Sequence, residues 1–316
     1  MATALSSPTA PQERITTVDV LRGFALFGIL YAHMIMWYTA GPLPQELMTH
    51  FQDIFSGVAF GVYGVLVMAK FFSIFSFLFG LSFYIQINSL AKRGDNVALR
   101  FGWRLALLGV VGITHHALWR GDILSIYVPL GFLLIFARHL SNKALLILGA
   151  VLVLNLPTKF IELIALLRTG KADFIGGDYA TEATAYYHFV KDSGFIDMLL
   201  GNLAALPTKI DYQLTSGRLW ITFGFFLFGM LVGRLGWFER ADSQQLFKTV
   251  WKRSWQTLLA CVVLGAVIGG AAFALSANMQ EKGWAYWCGE YVVDTFNAAF
   301  TVVYISGIAL LMHKPT

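Results

Sequence analysis

Apolar residues fill long blocks of this chain, and polar residues are confined to the breaks between them. A bilayer core roughly 30 Å thick needs about 20 apolar residues in a helix to cross it. Eight blocks meet that length, near 17–38, 70–90, 102–119, 123–138, 143–166, 217–235, 255–275 and 291–312. A further apolar stretch, 54–69, contains several glycines and ends at Lys70. It is expected to be a re-entrant or interfacial piece, because charge placement works better with eight spans. The pattern predicts an all-α polytopic integral membrane protein with one helical domain over 17–312, after a disordered tail over 1–16. The tail has no apolar core of the kind a cleavable signal carries, so the first span is expected to act as its own insertion signal.

Composition agrees with the pattern. Of 316 residues, 57% are hydrophobic and only 13% charged, against about a quarter charged in soluble domains. Basic residues cluster in one set of connections (Lys92, Arg93, Arg100, Arg104, Arg138, Lys143, Arg234, Arg240, Lys248, Lys252, Arg253), and acids in the other (Glu46, Asp53, Glu162, Asp192, Asp197, Asp211, Glu281, Glu290). The positive-inside rule then places the N-terminus in the cytoplasm. The net charge of +5 is accounted for by topology, and no nucleic-acid partner is expected. The largest segment between spans, 167–216, faces outward and carries two short amphipathic patterns, Thr181–Lys191 and Phe195–Leu206. Cys261 and Cys288 are too far apart in the pattern for a disulfide, and no metal site is expected.

Candidate chemistry begins on the first span. Charged or titratable groups in hydrocarbon are expensive, so each is a functional hypothesis. Arg22 and His33 fall within about 20° of each other on a helix and about 16 Å apart along it. Asp19 stands at the i,i+3 spacing that lets it pair with Arg22. The stripe is expected to line a polar passage. Its structural alternative is an ion pair sealing one end of the helix, with His33 bonded to a neighbouring carbonyl. His115 and His116 end the third span and diverge by about 100°, so at most one can face His33. Asp122 is expected to cap the fourth span, where a carboxylate offsets open N–H groups, or else to orient His116. Lys70, with Ser73 and Ser76 behind it, is expected to snorkel to the interface. Its alternative role is as a donor to an anionic group, with Arg120 a further candidate at the outer turn.

Three motifs resemble the YeiB-like family of bacterial inner-membrane proteins (domain of unknown function 418). They are Arg14-Ile15 with Asp19-Val20-Leu21-Arg22-Gly23-Phe24, Lys70-Phe71 with Ser73-Ile74-Phe75-Ser76-Phe77, and His116-Ala117 with Gly121-Asp122-Ile123-Leu124. The third motif selects His116 to face His33. The family usually has Asn where this chain has His33, and its members continue beyond this chain's last residue. The Arg-x10-His spacing of Arg22 and His33 also resembles the integral-membrane acyltransferases that modify bacterial surface sugars. That resemblance implies acyl transfer from cytosolic acyl-CoA, first of all acetyl-CoA, to an extracytoplasmic glycan, lipid or small metabolite. His33, His116 and Asp122 would be the catalytic group, with Arg22, Asp19, Lys70, Ser73 and Arg120 binding substrate.

The competing expectation is a transporter or exporter of a small amphipathic solute. Against it stand the lack of an inverted repeat and of paired Gly/Pro-broken helices. Membrane lipids and the acceptor are the expected partners. A homo-oligomer, or a partner supplying a further C-terminal region, is left open.

Overall fold

The computed structural model describes residues 15–34, 44–94, 96–172, 179–240, 242–276 and 281–313. Most of the expected tail and the tip of the first outer loop therefore lie outside the described residues. What is described is helical, with no strand among these residues. In chain order the helices are α1 (Thr16–Ala32), α2 (Gln45–Met48), α3 (Ile54–Val62), α4 (Phe71–Lys92), α5 (Val97–Leu118), α6 (Leu124–Ala137), α7 (Asn142–Val153) and α8 (Leu156–Thr169). They continue with α9 (Tyr179–Asp192), α10 (Phe195–Ala204), α11 (Leu206–Thr215), α12 (Arg218–Leu235), α13 (Ser243–Ala274) and α14 (Trp284–Met312).

Among the described residues, five segments are long and apolar enough to cross a membrane: Ile54–Lys92, α5, α12, α13 and α14. A sixth is added if α7 and α8, bent by 47°, make one span. Among the described residues α1 covers 17 residues and α6 covers 14, and the described part of the first block ends at Met34. The 54–69 stretch is neither isolated nor a loop. α3 runs through one wide turn at Tyr63–Val67 and joins α4 across a break at Met68–Lys70, where Ala69 takes a left-handed conformation. Outward faces carry large apolar side chains such as Phe27, Trp103, Val110, Phe136 and Val263, as lipid contact requires.

α12 is the hub. Gly80 of α4 lies against the Phe226 carbonyl, and Gly229 of α12 against the Phe77 carbonyl, so a Cβ at either position would strike backbone. Gly224 approaches Gly149 and Val153 of α7 in the same way. Small residues that let helix backbones touch are the usual basis of packing where lipid gives no hydrophobic drive. Around this crossing Phe226 stacks on Phe79 at 4.5 Å, and the buried Tyr127 meets Phe226 edge-on at 4.9 Å. The Tyr127 hydroxyl is satisfied by Ser76 at 2.7 Å.

Candidate functional site

α1 presents Val18, Leu21, Ala25 and Gly28 to the core. On helical geometry Arg22 and His33 lie about a quarter-turn away from that face, both partly exposed. They line a flank rather than a closed passage. Arg22 pairs with Asp19 at 2.7 Å and also donates to the Ser82 hydroxyl of α4 at 2.7 Å. At the other end the His33 ring meets the Trp119 ring edge-on at 4.8 Å.

Trp119 links His33 to the corner between α5 and α6. The His115 ring lies 5.8 Å from the same indole, and its Nδ1 is 2.8 Å from Asp122 Oδ1. Because an ionised carboxylate only accepts, Nδ1 is the donor, and in the neutral ring the lone pair is on Nε2. His115 is 47% exposed while the Asp122 side chain is wholly buried. This is an imidazole oriented by a buried carboxylate, the arrangement that holds a histidine in one tautomer for base chemistry. Asp122 also caps α6, accepting from the Leu124 and Ser125 amides at 3.0 and 2.8 Å. The capping role and the orienting role therefore coexist.

The histidine beside His33 is thus His115, where the motif selects His116. The reason is packing: Gly112 lies against the backbone of Leu124 and Ser125, so that face of α5 is closed by α6. His116, one turn further along the same face, is buried. Its Nε2 donates to the Asn202 carbonyl at 2.8 Å, and its Nδ1 accepts from Lys209 Nζ at 3.2 Å. Lys209 also donates to the Ser125 hydroxyl at 2.8 Å and lies 3.4 Å from Asp122 Oδ2. Burial lowers the Lys209 ammonium to about 8, against the pull of Asp122. Burial alone would raise Asp122, but the His115 hydrogen bond, the Ser125 amide and Lys209 outweigh it and hold the carboxyl below its usual range.

Lys209 and Asn202 come from the outer segment, which docks on this corner through α9, α10 and α11. The Asn202 amide donates to the Ala117 carbonyl at 2.8 Å and accepts from the Tyr186 hydroxyl at 2.7 Å. Arg120 pairs with Glu182 at 2.8 Å and lies 3.8 Å over the Tyr186 ring. It holds the segment down.

Lys70 does not snorkel. It is 1% exposed, donates to the Gly64 carbonyl at 3.1 Å and lies 5.5 Å from the Phe296 ring. The left-handed Ala69 turns the chain so that Lys70 points back into the wide turn instead of toward an interface. Ser73 is spent on the Ala69 carbonyl at 2.9 Å. Both belong to the α3–α4 junction.

A cavity of about 360 Å³ lies between α4 and α5. Arg104, Gln86 and Ser82 supply its polar groups, while Phe79, Phe83, Phe101, Leu105, Leu108 and Val111 make it apolar. Arg104, Leu108, Val111 and His115 follow one another at steps of four, three and four, so they share one face of α5. Arg104-x10-His115 repeats the spacing of Arg22-x10-His33. Both pairs run in the same sense, because Ser82 touches Arg22 and lines the cavity with Arg104, while Trp119 touches both histidines.

A second buried charged group was not foreseen. The single span expected over 143–166 is broken at Asn155, which is left-handed, and Pro157 follows at the start of α8. Lys159, 4% exposed, lies 3.0 Å from Glu162 and 3.7 Å from Asp294 of α14. What the sequence suggested as one continuous span is therefore two helices bent by 47°. A sequence signal for both buried lysines exists: Leu156-Pro157-Thr158-Lys159 recurs as Leu206-Pro207-Thr208-Lys209. Among the described residues, no three His, Cys, Asp or Glu side chains converge as metal ligands.

No protein-family model matches the chain, and no solved structure does. Curated relatives do match. The uncharacterized 39.9 kDa protein in the amylase 3′ region of Bacillus acidopullulyticus is 33% identical over 148 residues, covering 46% of this chain and 40% of that protein. The uncharacterized protein YxaH of Bacillus subtilis (strain 168) is 33% identical over 160 residues, 49% of this chain and 40% of its own length. The chain thus matches about two-fifths of each Bacillus protein. Similarity to the uncharacterized protein YeiB of Escherichia coli (strain K12) is lower, 27%, but extends over 303 residues, 87% of this chain and 68% of YeiB. The chain is an all-α membrane protein and a distant relative of YeiB.

Proposed function

We propose that the chain is a bacterial inner-membrane acyltransferase that takes an acyl group from cytosolic acyl-CoA and delivers it to an extracytoplasmic acceptor. The observation that carries this reading is the doubled Arg-x10-His stripe on α1 and α5, whose histidines meet at Trp119, with an apolar cavity beside Arg104. Arg22 and Arg104 suit the anionic head of the donor, and the lane from Phe83 to Val111 suits its apolar arm. The thioester then reaches the His33–Trp119–His115 cluster. His115 Nε2, with Nδ1 fixed by Asp122, removes the proton of the acceptor hydroxyl or amine. The new acyl–oxygen or acyl–nitrogen bond forms as the carbon–sulfur bond breaks, and the CoA thiolate leaves and is protonated. His33 stands across Trp119 as a second base or as an acyl carrier. The outer segment, fixed by Lys209, Asn202 and Arg120, roofs the acceptor side.

The test is to incubate the purified protein in nanodiscs with radiolabelled acetyl-CoA and longer acyl-CoAs, following protein-bound label and free thiol. Thiol release or labelling lost in both His33→Ala and His115→Ala is the expected result. Folded wild-type protein that neither turns over nor binds any acyl-CoA would sink the reading in favour of transport. Export of a small amphipathic solute draws support from one feature only, the break between α7 and α8, since discontinuous helices mark transporter sites.

A further inference from the structure

The break between α7 and α8 faces the middle of α14, and the groups gathered there do not balance. Lys159 meets Glu162 at 3.0 Å and Asp294 at 3.7 Å. Glu290, one turn before Asp294 on α14, lies within electrostatic reach of all three. One ammonium thus stands among three carboxylates, which leaves two negative charges over when all are ionised. Lys282, at the start of α14's approach, acts on Glu162 from the rim. Buried charge inside apolar helices is tolerated only when something neutralises it.

Unused oxygens mark the same place. Asn155 and Thr158 are each 1% exposed, yet Asn155 Oδ1 and Thr158 Oγ1 have no hydrogen-bond partner. Asn155 belongs to the cluster, because its Nδ2 donates to Asp294 Oδ2 at 3.0 Å. Thr158 precedes Glu162 by four residues and so shares its face of α8. Pro157 has no amide hydrogen to offer the Val153 carbonyl, which frees one more oxygen at the break. An orphaned buried acceptor is costly to leave unmade, so two within a turn of each other call for a ligand.

We infer that the α7–α8 break and the facing turn of α14 bind one small monovalent cation, of the sodium class. Hard cations take oxygen ligands, and unwound backbone at a discontinuous membrane helix is where such ions are held. The donor set offers neutral amide, hydroxyl and carbonyl oxygens beside Glu162 and Asp294. The neutral share of that donor set favours a monovalent ion over a divalent or transition metal. The bound ion offsets one of the two surplus charges and fixes the angle between α7 and α8. It lies apart from the histidine cluster and does not depend on acyl transfer.

Equilibrium binding of ²²Na⁺ to the purified full chain tests this directly, together with thermal melting in sodium chloride against choline chloride at equal ionic strength. Saturable binding of one ion per chain and a higher melting temperature in sodium are expected. Asp294→Asn should weaken binding by about tenfold. Thr158→Val, close to the native shape and therefore the safer variant for folding, should do the same while melting like wild type in choline. The inference is overturned if wild type binds no sodium and melts alike in both salts. It is equally overturned if Thr158→Val binds as wild type, or if stabilisation follows acid alone and sodium leaves it unchanged, since the group would then take up protons.

Discussion

Lys209 and Lys159 stand at the same position of the same tetrapeptide, each in the first turn of a helix that follows a break, and each is buried. Around Lys209 the neighbours are one carboxylate, one imidazole, one hydroxyl and a capped helix terminus, and the ammonium reaches an acceptor on each of the first three. Around Lys159 the neighbours are three carboxylates and two orphaned oxygens. The same local chemistry has therefore produced a closed latch in one place and an open, charged recess in the other. Leu-Pro-Thr-Lys fixes where a helix starts and which way its lysine points. Whether the lysine locks a segment or shares a ligand site is settled by the partner helix.

The sharpest way to break this comparison is to remove each ammonium. Lys159→Met strands Glu162 and Asp294 together, and should cost about 3–5 kcal/mol, the scale for breaking a buried ion pair. Partial recovery is expected in Lys159→Met with Asp294→Asn. Lys209→Met should cost less, about 1–3 kcal/mol, because Asp122 keeps its His115 bond and both α6 amides. Thermal melting with limited proteolysis would order the two, and the second variant should expose α9–α11 to cleavage first. An equal or reversed order would refute the distinction between latch and recess.

A smaller effect is expected with pH. The Lys209 ammonium falls from 10.5 to about 8 on folding, so between those values the unfolded chain binds more protons. Stability should therefore rise with pH across that window, and the rise should be missing in Lys209→Met. Asp122 acts at the other extreme. Its carboxyl is held low, so the stability it contributes is present above its unfolded value and lost as pH falls through the folded one. Melting curves from pH 7.5 to 10.5 and again below pH 5 would separate the two groups.

The smallest test compares two glycines. Gly170 and Gly217 have φ of 74° and 73°, so alanine costs each about 1–2 kcal/mol from backbone strain alone. A Cβ at Gly170 meets open space, whereas at Gly217 it strikes the Asn155 amide. Gly217→Ala should lower the melting temperature further than Gly170→Ala and should also weaken sodium binding. Matching losses would show that Asn155 is free to move.

Much of the fold was legible because membrane helices are written in long apolar blocks and because capping is local. The Asp19–Arg22 pair, the Asp122 cap and the helices of the outer segment all follow from spacings of a few residues, as do most of the spanning helices. Arg104-x10-His115 was equally present in the sequence, but one histidine among neighbours says little until Trp119 brings it beside His33. Lys70 was misread because snorkelling assumes a straight helix, and the left-handed Ala69 turns the chain inward.

By itself the sequence determined an all-α membrane protein with ionisable groups at the ends of its first and third long apolar blocks. Only tertiary structure decided that His115 and not His116 stands beside His33, because the packing of Gly112 against α6 chooses which face of α5 is closed. Only tertiary structure set Lys159 between Glu162 and Asp294, which are separated by more than a hundred residues of chain. Periodicity fixes a residue's direction on its own helix. The partner it meets there depends on how helices cross, and in this molecule glycine contacts at α12 set that crossing.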